Sequence, residues 1–314
     1  MIPIAAILTA GTLAQSQEPA PAWAYPVNPP GFKLPLDDGS LRKVPNSNGA
    51  LTLSQVRDLF YAPDWHPNDH PKLPTVVATG RKPDVMACGY CHRADGPGGP
   101  ESANLAGLPE AYIKQQIADF KSGARKSSVM NRAPMSLKMR LVGAATDAEI
   151  AEAAAYFASI KPRSIMKIVE SDTAPKTYVT GWFLAADKTA GTEPLGDRII
   201  EVPDDLERFV SRDARATFIA YVPVGSIQKG RELAASTDGA KTVQCGTCHG
   251  ADLKGVGQVP GFAGRSPSYI VRQLFNFKHG ARAGQASAQM KSATEKLTLN
   301  DIIALAAYSA SLTP

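Results

Sequence analysis

All four cysteines of this 314-residue chain fall in two identical frames, Cys88-Gly-Tyr-Cys91-His92 and Cys245-Gly-Thr-Cys248-His249. The frames lie 245 − 88 = 157 residues apart and leave no cysteine for a structural disulfide. They sit in longer self-similar units. The first runs through Gly107-Leu-Pro-Glu-Ala-Tyr112-Ile113 to Phe120-Lys-Ser-Gly123-Ala-Arg125, the second through Gly264-Arg-Ser-Pro-Ser-Tyr269-Ile270 to Phe277-Lys-His-Gly280-Ala-Arg282. Arg125 and Arg282 keep the offset of 157, so no gap separates the copies over this stretch. The chain is long enough for two domains, each with its own core.

Three chemistries use Cys-x-x-Cys, and the neighbouring residues separate them. A redox dithiol wants the pair at the start of a helix that follows a strand. Neither frame follows a β-rich run, and both place His directly after the second Cys. A four-ligand zinc site could draw on two such pairs, but ribbon-type sites join them by roughly 15–20 residues. Covalent haem attachment needs both features: two thiols add to the vinyl groups of one porphyrin, and the adjacent His ligates the iron from the proximal side. Two copies that use every cysteine point to two haem c groups, held by Cys88, Cys91, Cys245 and Cys248, with His92 and His249 on iron.

Each unit then shows an apolar stripe at helical spacing, Ile113, Ile117 and Phe120 or Ile270, Leu274 and Phe277, closed by Gly just beyond. Thr146 followed by Glu149, and Thr298 followed by Asp301, are capping boxes that mark a last helix in each unit. The order of Cys-x-x-Cys-His, Leu105-Ala-Gly107 or Phe262-Ala-Gly264, Tyr-Ile, Phe-Lys-x-Gly-x-Arg, a Met and Ala-Ala-Tyr resembles class I cytochrome c. The tandem arrangement is similar to the diheme cytochrome c-four group, over about two thirds of the chain. The resemblance implies a mainly α protein of two tandem class I cytochrome c domains. It leaves uncovered the segment before about Ala50 and the stretch between the units.

The distal ligand decides the chemistry. His with Met gives a six-coordinate, high-potential electron-transfer centre, whereas an open position admits peroxide chemistry. In the second unit Met290 is the one methionine after Cys248 and stands where the family places its axial Met. The first unit offers Met130, Met135 and Met139. Counting back from the last helix by 308 − 156 = 152 gives 138, beside Met139, and counting forward by 157 gives 133, nearest Met135. Met139 is favoured, with Met135 the alternative. His66 and His70 could in principle supply a second imidazole, but their Pro- and Asn-containing loop reads as turn-forming. Tyr112, Phe120, Tyr269 and Phe277 are candidates for the haem pockets, and Arg125 and Arg282 for the propionates, against the plainer role of helix C-terminal cations. His279 matches Ser122 and reads as a surface residue. Pro260 stands where the family often has a Pro whose carbonyl accepts the proximal imidazole N–H; the first unit has Ala103 there, so the two haems are expected to differ in potential.

The remaining segments are assigned by composition. Residues 1–14 are a charge-free apolar stretch read as an export signal. Residues 15–49 read as a Pro-rich, extended arm rather than packed structure. The two cytochrome domains take 50–162, opening with a helix near Thr52–Phe60, and 225–314. Between them, 163–224 is rich in β-branched and aromatic runs and reads as a small antiparallel β insertion. The formal charge of +5 is too mild to indicate nucleic acid. The expected function, implied by the resemblance, is a periplasmic one-electron carrier, soluble or peripherally membrane-associated. It would run between a dehydrogenase or quinol-oxidising complex and an oxidase or another cytochrome. The alternative is a peroxidase-like haem enzyme with a displaceable distal ligand at the first haem.

Overall fold

The computed structural model describes residues 18–237 and 239–314, so the segment read as an export signal lies outside the described residues. Among those described, no helix is long and apolar enough to cross a membrane. In the first unit, α1 (Leu53–Arg57) starts at a Thr52 capping box and is shorter than the expected helix. After it come α2 (Thr75–Ala78) and α3 (Cys88–His92), which carries the first frame. The unit closes with α4 (Glu110–Lys121), α5 (Ala133–Ala144) and α6 (Asp147–Ser159). The capping box at Thr146 forms as read, with Thr146 N donating to Glu149 at 2.8 Å and Glu149 N to the Thr146 hydroxyl at 3.2 Å.

The insertion holds β1 (Met166–Glu170), β2 (Thr173–Pro175), β3 (Thr177–Thr180), β4 (Phe183–Ala186), β5 (Thr192–Pro194), β6 (Ile200–Pro203), α7 (Leu206–Val210) and β7 (Phe218–Val222). It is not purely antiparallel: β7 is central in a three-stranded sheet, antiparallel to β6 but parallel to β1. Parallel pairing needs a long crossover, and the chain between β1 and β7 supplies one; alternating hydrophobicity is blind to that choice. The run around Tyr178 to Leu184, which reads as one strand, is the β3–β4 hairpin. Its two turn residues, Gly181 and Trp182, have φ of 54° and 74°, as a type I′ turn requires.

The second unit contains α8 (Ser226–Ala235), α9 (Gly246–His249), a small ribbon of β8 (Gly255–Val256) and β9 (Val259–Pro260), α10 (Pro267–Lys278), α11 (Ala288–Thr294) and α12 (Leu299–Ser311). Its core is the crossing of α8 with α12, backed by α10, with Val271, Ile302, Ala306 and Ala307 sealed from water. Gly230 makes the crossing possible, because a Cβ there would stand 2.0 Å from the Ala304 carbonyl oxygen and 2.7 Å from Tyr308 Cβ.

The first unit is built differently at this place. α8 ends ten residues before Cys245 and α2 ends ten before Cys88, so the first unit keeps only the last turn of that helix. Tyr156, the counterpart of Tyr308, meets the His70 ring edge-on at 6.4 Å instead of a helix glycine. The insertion covers the rest of this side. Arg215 pairs with Asp69 at 2.6 Å, Arg163 with Asp95 at 2.9 Å, and Trp65 Nε1 donates to the Ser211 carbonyl at 2.8 Å. Arg212 donates to the Tyr90 carbonyl at 2.7 Å and stacks 3.6 Å over the Tyr90 ring, so the insertion grips the α3 frame itself. On the other side, buried Glu201 of β6 accepts from Ser266 Oγ at 2.7 Å and Ser268 N at 3.1 Å, fastening the insertion to the start of α10.

The arm departs from its reading as unpacked chain. Ala24 and Tyr25 are 0% and 3% exposed and belong to the α10–α12 core. Tyr25 Oη donates to Asn276 at 3.0 Å. Proline spacing makes the arm extended, but Trp23 and Tyr25 inside it supply apolar anchors, each worth up to ~3 kcal/mol when buried.

Two outcomes follow from the α8–α12 crossing. Gly230→Ala gains helix propensity of about 1 kcal/mol but overpacks a backbone contact, at about 1–3 kcal/mol; a thermal melt of the haem-loaded protein is expected to show a lower Tm. Asp301 caps α12 and ion-pairs with Lys229 and Lys241 at 2.9 and 2.8 Å. Burial raises its pKa, but the two lysines and the Thr298 cap outweigh that and hold the carboxyl far below its ordinary range. This stabilisation is therefore complete above the unfolded pKa of about 4 and is lost as pH falls towards the lower folded value. Asp301→Asn should melt below the wild type at pH 7, with the gap narrowing at about pH 3.

Candidate haem sites and the domain interface

α3 and α9 place each frame in one helical turn that ends on its histidine. His92 Nδ1 lies 2.8 Å from the Ala103 carbonyl and His249 Nδ1 2.8 Å from the Pro260 carbonyl. A carbonyl only accepts, so Nδ1 carries the proton in both rings and Nε2 keeps a lone pair for a metal. The distance is the same despite the Ala103-for-Pro260 exchange. Burial, reinforced by the Lys138 charge, pushes His92 down to about 3, and burial also lowers His249, so both imidazoles are neutral. Burial pushes the Cys88 thiol to about 12 and Cys245 to about 11, the opposite of the lowered pKa a reactive dithiol needs.

Cys88, Cys91 and His92 open onto one cavity with ≈ 1390 Å³ of empty space, its mouth included. Phe120 and Phe157 line it from α4 and α6. Met135 of α5 lines it too, and Met139 does not. The helix explains the difference: Pro134, Lys138 and Leu141 centre the inward face, Met135 stands towards its edge, and Met139, one turn on at i+4, is rotated further round and falls beyond it. Met130 is exposed. His66 and His70 are engaged elsewhere, with Asp213 at 3.0 Å and Asp64 at 3.2 Å, and neither lines the cavity. In the second unit, Met290 is half-buried on α11. His279 is not a free surface residue, since its ring lies 4.1 Å from that of Phe275.

Tyr269 lines the first cavity although it belongs to the second unit, as do Arg272, Gln273 and Asn276. The two units meet through their repeated segments: Lys126 N donates to the Ala281 carbonyl at 2.6 Å and Ala283 N to the Ala124 carbonyl at 2.7 Å. Arg125 and Arg282 thus face each other across an antiparallel bridge. Arg125 donates to Gln116 at 2.7 Å, Gln273 at 3.1 Å and Tyr269 at 3.2 Å. Arg282 mirrors it, donating to Gln116 at 2.6 Å, Gln273 at 3.2 Å and Tyr112 at 3.3 Å. Phe277 lies under the Arg282 guanidinium at 4.0 Å, and Phe120 under Arg125 at 4.6 Å.

Both arginines are buried, and among the described residues neither has a carboxylate at salt-bridge distance. Arg282 Nε has no partner at all. Two adjacent buried cations facing only neutral oxygens are costly unless an anion completes them, and haem propionates are such anions. The donor set therefore fits the cofactor on three counts: thiols at a cavity, free imidazole Nε2 atoms and uncompensated cations. Reading the repeats finds Arg125, Arg282 and the tyrosines. It misses Gln116 and Gln273, although they match at the same offset of 157, and Lys138, whose position carries no motif.

A protein-family model described as cytochrome c matches residues 77–161 and again 227–313. The chain is 25% identical to a "thiosulfate dehydrogenase electron acceptor" of Thiomonas intermedia (strain K12) over 220 residues, 69% of this chain and 74% of that one. It is also 25% identical to a cytochrome c4 of Azotobacter vinelandii over 229 residues, 71% of this chain and 83% of that one. Among solved structures, the thiosulfate dehydrogenase (TsdBA) of Marichromatium purpuratum matches at 27% identity with a TM-score of 0.49, over 73% of this chain and 37% of that longer one. The frames, the repeat and the two matched spans lead to one conclusion: the chain belongs to the cytochrome c family, as a c4-like diheme protein of tandem class I domains carrying two covalently attached haem c groups.

Proposed function

We propose that this protein is an exported one-electron carrier that takes electrons from a dehydrogenase or quinol-oxidising complex and passes them to an oxidase or another cytochrome. The observation that carries the reading is the interface of Arg125 and Arg282, which joins the two haem-bearing units through one shared cluster. A carrier needs two centres in fixed relation with little rearrangement on reduction, and a buried, cross-linked interface provides that. The electron-acceptor name of the Thiomonas relative supports a sulfur-compound dehydrogenase as one donor class.

In this reading each haem iron supplies reversible one-electron redox chemistry, and the chain makes and breaks no bonds. His92 and Met135 ligate the first iron, His249 and Met290 the second. Membership of the cavity lining favours Met135 over the Met139 expected from the repeat arithmetic. Arg125 and Arg282 pair with propionates, and their positive charge favours the reduced state of both haems. The peroxidase-like alternative finds no support, because the first cavity already contains a thioether donor.

Three variants test the ligands by optical and EPR redox titration. Met135→Ala is expected to remove half of the weak long-wavelength sulfur-to-iron absorption and to lower the first potential, since a His/Met pair raises potentials. Met290→Ala should remove the other half, and Met139→Ala neither; full absorption in Met135→Ala would overturn the assignment. The wild type should not turn over peroxide. Arg282→Gln removes a buried positive charge beside both centres, so both midpoint potentials should fall. Stability should fall by about 1.5–3 kcal/mol per charged hydrogen bond lost, read by denaturant titration.

A further inference from the structure

The loop that delivers Met135 is where the units differ most, since the offset between them drops from 157 to 152 across it. Arg132 closes this loop as the N-cap residue of α5. Its carbonyl accepts from Met135 N at 3.0 Å, so its backbone sets the first turn that carries the methionine. Its side chain lines the same cavity as Met135. The guanidinium spans two oxygens that the second unit has no equivalent for. Nε donates to the Pro26 carbonyl at 3.1 Å, in the arm, and Nη2 to the Trp182 carbonyl at 3.0 Å, in the turn of the β3–β4 hairpin. Trp182 N in turn donates to Asn28 Oδ1 at 3.3 Å, which closes a ring of arm, hairpin and ligand loop.

The loop upstream is tied as well. Ser128 donates through N and Oγ to Asn276 Oδ1 at 3.0 and 2.8 Å, the same oxygen that accepts from Tyr25. Burial lowers Arg132 to about 10, so it stays charged at neutral pH and its bonds to the two carbonyls are charge-assisted. In the second unit the equivalent positions are Gly284 by one offset and Gln289 by the other, so no arginine clamps that loop.

A thioether is a weak, neutral donor, and its place in a cavity depends on the backbone that holds it. We propose that Arg132 is a positioning residue, through which the arm and the β insertion hold Met135 in the first cavity, so that the first haem's ligation depends on an arginine clamp that the second unit lacks. The inference rests on Met135 as the proposed first distal ligand. It also gives the insertion a task that neither a spacer nor a docking surface would share.

The test uses the full chain loaded with both haems, with haem content measured first. Arg132→Ala is expected to keep two covalent haems, to lose up to half of the sulfur-to-iron absorption, and to lower the potential of the first haem while the second is unchanged. Arg132→Lys, which keeps the charge but cannot span both carbonyls, should show the same change in weaker form and decides the matter if the alanine variant does not load. Unchanged absorption and potentials overturn the inference, as does an equal change at both haems, which would mean a general loss of structure. Met135→Ala in parallel separates the two claims: if it removes half the absorption while Arg132→Ala removes none, the ligand assignment stands and the clamp fails. If it removes none, both fail.

Discussion

Two buried guanidinium groups with no carboxylate beside them make up the constraint around which the rest of the molecule is arranged. Arg125 and Arg282 share Gln116 and Gln273 and each reaches a tyrosine of the other unit. Burying such a pair costs several kcal/mol per ion unless charge and hydrogen bonds complete it. The amide oxygens meet part of that need, and the unpartnered Arg282 Nε marks where they fall short. In the proposed function, propionates of the two haem c groups complete it.

The two units descend from one pattern but are finished differently. The second is closed by a full helix whose Gly230 lets α8 and α12 touch backbone to backbone. The first keeps one turn of that helix and is closed instead by Arg212, Arg215 and Trp65 contacts with the insertion. This exchange packs insertion residues directly against the first frame. A difference between the haems is therefore expected from the surroundings of α3 and α5, since the proximal hydrogen bonds are the same length in both units.

Much of this was legible along the chain because covalent chemistry and helical caps are local. Cys-x-x-Cys-His states the cofactor and the proximal ligand within five residues, and the boxes at Thr146 and Thr298 mark helix starts that form as read. The arm was misjudged because prolines describe backbone shape, and only Trp23 and Tyr25 reveal that it packs. The sheet was misjudged because alternation reports one buried face and is silent on whether a neighbour runs parallel. Counting repeats gave 138 from one end and 133 from the other, since an insertion can be placed anywhere within a loop, and left Met139 and Met135 both open; the cavity lining favours Met135.

What the amino-acid sequence determined by itself was the number of haems, their anchors, the duplicated helical plan and the paired arginines, because each follows from residue types at fixed short spacing. Only the tertiary structure decided that the arginines face each other, that Tyr269 lines the other unit's cavity, and that Arg132 ties arm, hairpin and ligand loop together. Contacts of this kind join residues as far as 251 positions apart in Tyr25 Oη to Asn276 Oδ1 at 3.0 Å. No local pattern encodes such a pairing. It exists only once burial has brought the segments into one interior, where every charged group must find a partner.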